Sequence, residues 1–319
     1  MFVKKRPEHH RPYETMNCRL SVVTRGLHRL AQLIVSLGLF AMIVSHDYRE
    51  LSLPGALPND PAREDLSRMI YPSQNDIPWR SHFIMPSDSL ERLFGEDWIY
   101  VARFNRIDRR HVYPGMTIKA PFNMNDFRHY EPMEKAYPKA KPFKKYILVN
   151  ITEQWIGAYA YGELVFSMPA ATGKKKHETP VGLFRIDAWD KHHTSSIYDT
   201  ADGKSRYPMD YAIRFHVAQD KIAYWIHARD LPGKPVSHGC IGVFDEVMQQ
   251  RIYNVPFEPV LKDAEKLYEW TLPDGNTTNK SRHGPIVEII GSLPTYRALP
   301  PPPPLPSPQD RKRLLWKKI

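Results

Sequence analysis

The sequence predicts a mainly β domain over residues 145–291. A small strand–helix–helix–strand unit over 78–122 and an N-terminal apolar segment precede it. Three observations carry this reading. From Lys145 onward, short apolar runs alternate with tight turn signals. Between 78 and 122, two short apolar runs bracket two stretches of helical period. Leu30 to Val44 carries no charge and follows a basic flank. A chain of 319 residues exceeds one average domain, and 42% hydrophobic residues suffice for buried cores.

In chain order, residues 1–45 hold Lys4, Lys5, Arg6, Arg11, Arg19, Arg25 and Arg29 ahead of LAQLIVSLGLFAMIV. A basic end followed by a short apolar run is an export signal with its positive end kept inside. The run is short beside the roughly 17–25 residues of a full span. No small-x-small cleavage site follows it, so a signal anchor in the inner membrane is the first reading and a cleaved signal peptide the second. Residues 46–77 are polar and proline-punctuated and read as a linker with one short helix at 62–70. In 78–122, His82 to Met85 reads as a strand. Ser87 or Asp88 caps a helix through Leu90, Leu93 and Phe94. A second helix carries Trp98, Val101, Ala102 and Asn105 on its inner face. Tyr113-Pro114-Gly115 turns into a returning strand at Met116–Lys119. Residues 123–144 read as a second linker. In 145–291, strands are expected at 145–150, 155–161, 164–168, 184–186, 211–216, 223–227 and 285–290, with short helices at 245–253 and 260–269. The histidine pair His192-His193 reads as loop surface. Residues 292–319 read as a proline-rich, then basic tail.

The formal net charge of +10 favours anionic polymers such as cell-wall polyanions or anionic lipid. No zinc-finger or ribonucleoprotein pattern points to nucleic acid. The two cysteines, Cys18 and Cys240, are too few and too far apart for a disulfide framework. One cysteine in the β domain is also too few for a Cys/His zinc site, so neither a metal nor a cofactor is expected.

The chemistry concentrates in Tyr224 to Asp245, YWIHARDLPGKPVSHGCIGVFD. A thiol with histidines nearby and a glycine turn are the parts of a cysteine nucleophile site. A free thiol is mostly neutral at pH 7 and needs a base or cation beside it. His238, two residues before Cys240, diverges from it unless the turn is sharp, whereas His227 approaches across the sheet. His227 is therefore the expected general base. His238 and Gly239 are expected to shape an oxyanion turn, and Tyr207, Met209 and Tyr211 to form core or cleft wall. Ser237, Tyr207, Met209 and Arg229 are the candidate substrate-binding residues.

Ser237-His238-Gly239-Cys240-Ile241 with the upstream Ile226-His227 resembles the YkuD-type L,D-transpeptidases. The resemblance extends from about 145 to 255. It takes in Asn150 to Gln154, Ala171-Thr172-Gly173, Thr179-Pro180-Val181-Gly182 and Leu231-Pro232-Gly233. It implies a β-sandwich-like catalytic domain acting on peptidoglycan stem peptides, at the periplasmic or cell-wall side. There Cys240 would attack the diaminopimelate–D-alanine bond and form a thioester. An amine of another stem would resolve it as a 3→3 cross-link; a lipoprotein lysine or water are the other acceptors. Carbapenem acylation of the cysteine is also implied. Family members often carry arginine two positions after the cysteine, where this chain has Gly242; Arg229 or Arg214 is then the candidate replacement cation. Because Ala228 follows the base, a backbone carbonyl would have to orient His227. The unit at 78–122 resembles the LysM module in its element order, Asp88-Ser89-Leu90, Asn105 and Pro114-Gly115. The other reading is a βααβ cap that only packs on its neighbour. The second class of function is a non-catalytic wall-binding protein.

Overall fold

A computed structural model describes residues 64–200, 203–272 and 283–298. All described residues belong to one compact unit. The expected N-terminal signal segment and the basic end of the tail lie outside the described residues. Among the described residues, no helix is long and apolar enough to cross a membrane.

The strands are β1 Met69–Ile70, β2 Trp79–Phe83, β3 Thr117–Pro121, β4 Tyr146–Asn150, β5 Trp155–Ala160, β6 Glu163–Ala171, β7 Gly182–Arg185, β8 Ala188–Asp199, β9 Arg206–Val217, β10 Ala223–Ala228, β11 Ile241–Val243, β12 Ile286–Ile290 and β13 Thr295–Tyr296. The helices are α1 Leu90–Phe94, α2 Trp98–Asn105, α3 Met124–Arg128, α4 Glu246–Tyr253 and α5 Asp263–Thr271. Nine strands form one mixed sheet in the order β7-β12-β4-β5-β6-β11-β10-β9-β8. The β4/β12 and β10/β11 pairs are parallel. The sheet curls on itself: Phe184 of β7 and Phe215 of β9 stand near opposite ends of the strand order, yet their rings lie 5.6 Å apart. The expected sandwich is thus built from one continuous sheet rather than two.

Strand alternation supplies the core. Ile147, Val149, Ile156, Ile213, Ile226, Ile241, Val287 and Ile289 point inward from both halves of the sheet, and Leu267 of α5 packs onto them. Each such fully buried aliphatic side chain contributes roughly 1.5–3 kcal/mol. Asp245 caps α4 by accepting the Met248 N–H at 2.7 Å, which aims the chain away from the sheet directly after β11.

The strand–helix–helix–strand unit has the expected order. β2 and β3 pair antiparallel, and Ser89, one or two residues after the expected cap, accepts the Arg92 N–H. Trp98, Val101, Ala102 and Asn105 are all buried. Its core is not its own, however. Val101, Phe104, Ile107 and Ile118 pack in one cluster with Ala171, Leu231, Phe244 and Leu261 of the larger sheet domain.

Three boundaries differ from the sequence reading. Residues 64–77 are not a free linker: Leu66, Met69, Tyr71 and Gln74 are buried, and Ser73 donates from its hydroxyl to Glu153 at 2.6 Å. Residues 123–144 are likewise packed, through Phe127, Met133 and Ala140. The start of the tail is β13, which pairs with β1. In each case a polar, proline-punctuated stretch is held by partners remote in sequence.

Candidate active site

The parallel pairing of β10 with β11 sets Ile226 beside Ile241 and His227 beside Gly242. Alternation then sorts the two segments. Ile226, Ala228, Ile241 and Val243 enter the core, while His227, Arg229 and Cys240 line a cavity of about 730 Å³ on the other face. Tyr207, Met209, His193, Trp225 and His238 contribute to the same cavity.

His227 is buried, and its Nδ1 lies 2.7 Å from the Ala228 carbonyl oxygen. A carbonyl only accepts, so Nδ1 carries the proton and Nε2 keeps its lone pair. The orienting group is the backbone carbonyl that Ala228 requires. Burial pulls the imidazole pKa down to about 3, with the Arg229 and His193 charges adding to the effect. Cys240 is a free thiol, half-buried. Burial pushes its pKa up, against a backbone hydrogen bond at Trp225 and the Arg229 charge. The resting pair is therefore neutral thiol and neutral imidazole.

The turn before Cys240 is held from three sides. Ser237 donates its hydroxyl to the Cys240 carbonyl at 2.5 Å and accepts the Gly239 N–H at 3.0 Å. Gly239 has φ +114°, and a Cβ there would lie 2.5 Å from the Tyr224 ring. Thr179 accepts the Gly173 N–H and donates to the Gly239 carbonyl, both at 2.9 Å. The Thr172 carbonyl accepts the Val236 and Ser237 N–H groups, and Gln154 bonds the Thr172 hydroxyl and N–H. The separated motifs at 150–154, 171–173 and 179–182 thus converge on one loop.

The hydrogen bonds of the turn narrow two expected roles. The Gly239 N–H is engaged by Ser237, so Gly239 shapes the turn but does not donate to an oxyanion. The Ser237 hydroxyl donates one hydrogen bond and accepts another inside the turn, so it holds the loop that carries Cys240. His238 diverges from Cys240: it is exposed, stacked on Tyr198 at 4.6 Å and edge-on to His177 at 4.6 Å. Its pKa is lowered by partial burial, then by the Lys174, His177 and Arg229 charges. Met209 is buried against the Trp225 cluster that also contacts Cys240. Tyr207 stands edge-on to His227, ring centroids 6.5 Å apart, and burial holds its phenol protonated. The other candidate cation, Arg214, is instead paired with Asp187 at 2.8 Å.

His193 was not legible as a site residue. It lies in β8, opposite Met209, with its ring 4.3 Å from that of Trp225, and is not on a surface loop. The signal was weak because β8 reads AWDKHHTSSIYD, with few apolar positions to mark its alternation.

Among the described residues, no group of three or more His, Cys, Asp or Glu could hold a metal ion. Residues 144–289 match the family model of the L,D-transpeptidase catalytic domain, YkuD. No curated protein matches the chain. Similar solved structures include an L,D-transpeptidase from Stackebrandtia nassauensis, 18% identical over 47% of this chain and 57% of its own, with a TM-score of 0.32. L,D-transpeptidase 1 from Mycobacterium tuberculosis is 20% identical over 46% of this chain and 62% of its own, with a TM-score of 0.30. An L,D-transpeptidase from Mycobacterium smegmatis is 17% identical over 46% of this chain and 59% of its own, with a TM-score of 0.31. The chain thus spans less than two thirds of each of these structures, and at such scores the assignment rests on the family match and not on superposition. Residues 144–289 are thus similar to an enzyme domain, the L,D-transpeptidase catalytic domain of the YkuD family.

Proposed function

We propose that the chain is a peptidoglycan L,D-transpeptidase with Cys240 as nucleophile and His227 as general base. The observation that carries this is the shared face of β10 and β11. Cys240 and His227 line one cavity, and the Ala228 carbonyl leaves His227 Nε2 as the proton acceptor. Because both groups rest neutral, the S–H proton passes to Nε2 as sulfur attacks the carbonyl carbon of the stem-peptide diaminopimelate–D-alanine bond. The C–N bond then breaks, and D-alanine leaves as an amine with the proton from the imidazolium. A stem-peptide amine attacks the thioester, gives its proton to His227, and the C–S bond breaks to restore the thiol. With the Gly239 N–H engaged, the Cys240 N–H is the turn donor assigned to the oxyanion.

The basic, apolar N-terminal segment and the positive net charge support export, with the domain on the periplasmic or wall side. The strand–helix–helix–strand unit is assigned to holding the catalytic loop, because its core is shared with the sheet domain; the LysM likeness rests on element order alone. Digestion of sacculi with and without the enzyme, followed by identification of the muropeptides, tests the reaction. New 3→3 cross-linked dimers support it. Stems only shortened, with no dimers, point to water as acceptor; unaltered stems refute the enzymatic reading.

A further inference from the structure

The D-alanine end of the proposed donor carries a carboxylate, and Gly242, two residues after Cys240, has no side chain to meet it. The geometry around that glycine shows what fills the space. A Cβ built on Gly242 would lie 2.5 Å from Cδ, 2.6 Å from Cβ and 2.9 Å from Cγ of Arg229. The Arg229 stem therefore lies across the bare Gly242 backbone, and any larger residue there would have to displace it. The Arg229 N–H donates to the Val243 carbonyl at 3.0 Å, which continues the β10–β11 ladder one residue and keeps the side chain on the face of His227 and Cys240.

The guanidinium is not used up by the fold. Its Nε is buried and has no hydrogen-bond partner among the described residues. The adjacent carboxylate, Asp230, is engaged by Arg110 at 2.5 Å and by Gln249 at 3.1 Å. The guanidinium carbon lies 5.5 Å from the Tyr207 ring centroid, on the cavity wall. A buried donor left without a partner is costly, and a planar cationic fork is suited to a carboxylate.

We propose that Arg229 binds the free C-terminal carboxylate of the donor peptide, and that Gly242 is bare so that the Arg229 side chain can cross β11 to reach that place. This rests on the acyl-transfer reading above. The substrate class is a peptide whose scissile amide lies one residue before a free carboxylate. Its field also lowers the pKa of both Cys240 and His227, as a cation close to the reacting pair does.

The test uses the full chain and two synthetic donor peptides ending in D-alanine, one as the free acid and one as the C-terminal amide. The measured quantity is kcat/KM for release of D-alanine or its amide. The wild type favours the acid by roughly 10- to 100-fold, the range of a charge-assisted hydrogen bond. Arg229→Gln brings the acid-to-amide ratio to about one, and Arg229→Lys keeps part of the preference. Gly242→Ala, which pushes the Arg229 stem aside, lowers the ratio in the same direction. Urea unfolding transitions that match the wild type show that the variants are folded. An active wild type whose acid-to-amide ratio survives Arg229→Gln overturns the inference alone. A wild type inert to both peptides overturns the acyl-transfer reading and the inference with it.

Discussion

Two arginines flank the loop between His227 and Cys240, and they are placed in opposite ways. Arg106 ends the second helix of the strand–helix–helix–strand unit and is fully buried. It donates to the Glu153 carbonyl at 3.0 Å, the Phe104 carbonyl at 2.5 Å and the Tyr130 hydroxyl at 2.6 Å, and its guanidinium lies 3.8 Å over the Tyr71 ring. Its carbonyl accepts the Gly233 N–H, pinning the loop. Arg229, on the other side, is half-exposed and lines the cavity, and its buried Nε has no hydrogen-bond partner among the described residues. A buried cation whose donors are met stabilises the fold. One left unmet beside a nucleophile is available to a ligand. The comparison separates the scaffold, which holds the loop, from the site, which the loop presents.

The comparison can be broken at its scaffold end first. Arg106→Met leaves Glu153 buried without its guanidinium and is expected to cost about 3–5 kcal/mol of stability, read by urea unfolding. A loss under about 1 kcal/mol would mean the network is not structural. Asp108 is the next anchor. Its carboxylate accepts the Leu231 N–H at 2.7 Å and the Gln249 side-chain N–H at 2.9 Å, and its N–H donates to the Leu231 carbonyl. Asp108→Ala is expected to cost about 1–3 kcal/mol and to lower kcat as the nucleophile loop loosens. An unchanged kcat would detach the loop from the helical unit.

Asp245, just after β11, sharpens the boundary between the two regions. Burial raises its carboxyl pKa from 3.8 to about 6, with Asp210, Glu265 and Asp263 adding. The folded state then holds the proton more tightly than the unfolded one. Its stabilising contribution is complete below about pH 4 and is lost as pH rises to about 6. Asp245→Asn keeps the cap and removes the charge. It is expected to match the wild type at pH 4 and exceed it by about 1–3 kcal/mol at pH 7.5. Equal stability at both pH values would contradict the raised pKa. The smallest stability effect falls at Arg229: Arg229→Gln is expected to shift the unfolding free energy by no more than about 0.5 kcal/mol, since its Nε has no hydrogen-bond partner among the described residues to lose. A large loss would make it a second scaffold arginine.

Much of the catalytic domain was legible because its signals are local. Alternation named the strands from β4 onward except β8, β11 and β13. Asp245 marked the start of α4, and the spacing of His227 and Cys240 placed both on one cavity. What was not legible depends on remote partners. Residues 64–77 and 123–144 are polar and proline-rich, and nothing in their composition shows that Ser73 meets Glu153 or that Phe127 stacks on Phe104 at 3.7 Å. The engagement of the Gly239 N–H by Ser237 depends on a turn geometry that the residues SHGC permit but do not specify. The Gly242 departure read as a lost group; the Cβ geometry shows instead that Arg229 occupies its space.

Cys240 is proposed as the nucleophile and His227 as its base. Intact-protein mass spectrometry after exposure to a carbapenem tests it most directly, on the full chain, Cys240→Ala and His227→Ala. The expected result is one covalent adduct on the wild type, mapped to the Cys240 peptide. Cys240→Ala forms none, and in His227→Ala the adduct forms roughly 10²–10⁴-fold more slowly. An adduct that persists in Cys240→Ala, or a wild type that forms none, would contradict it.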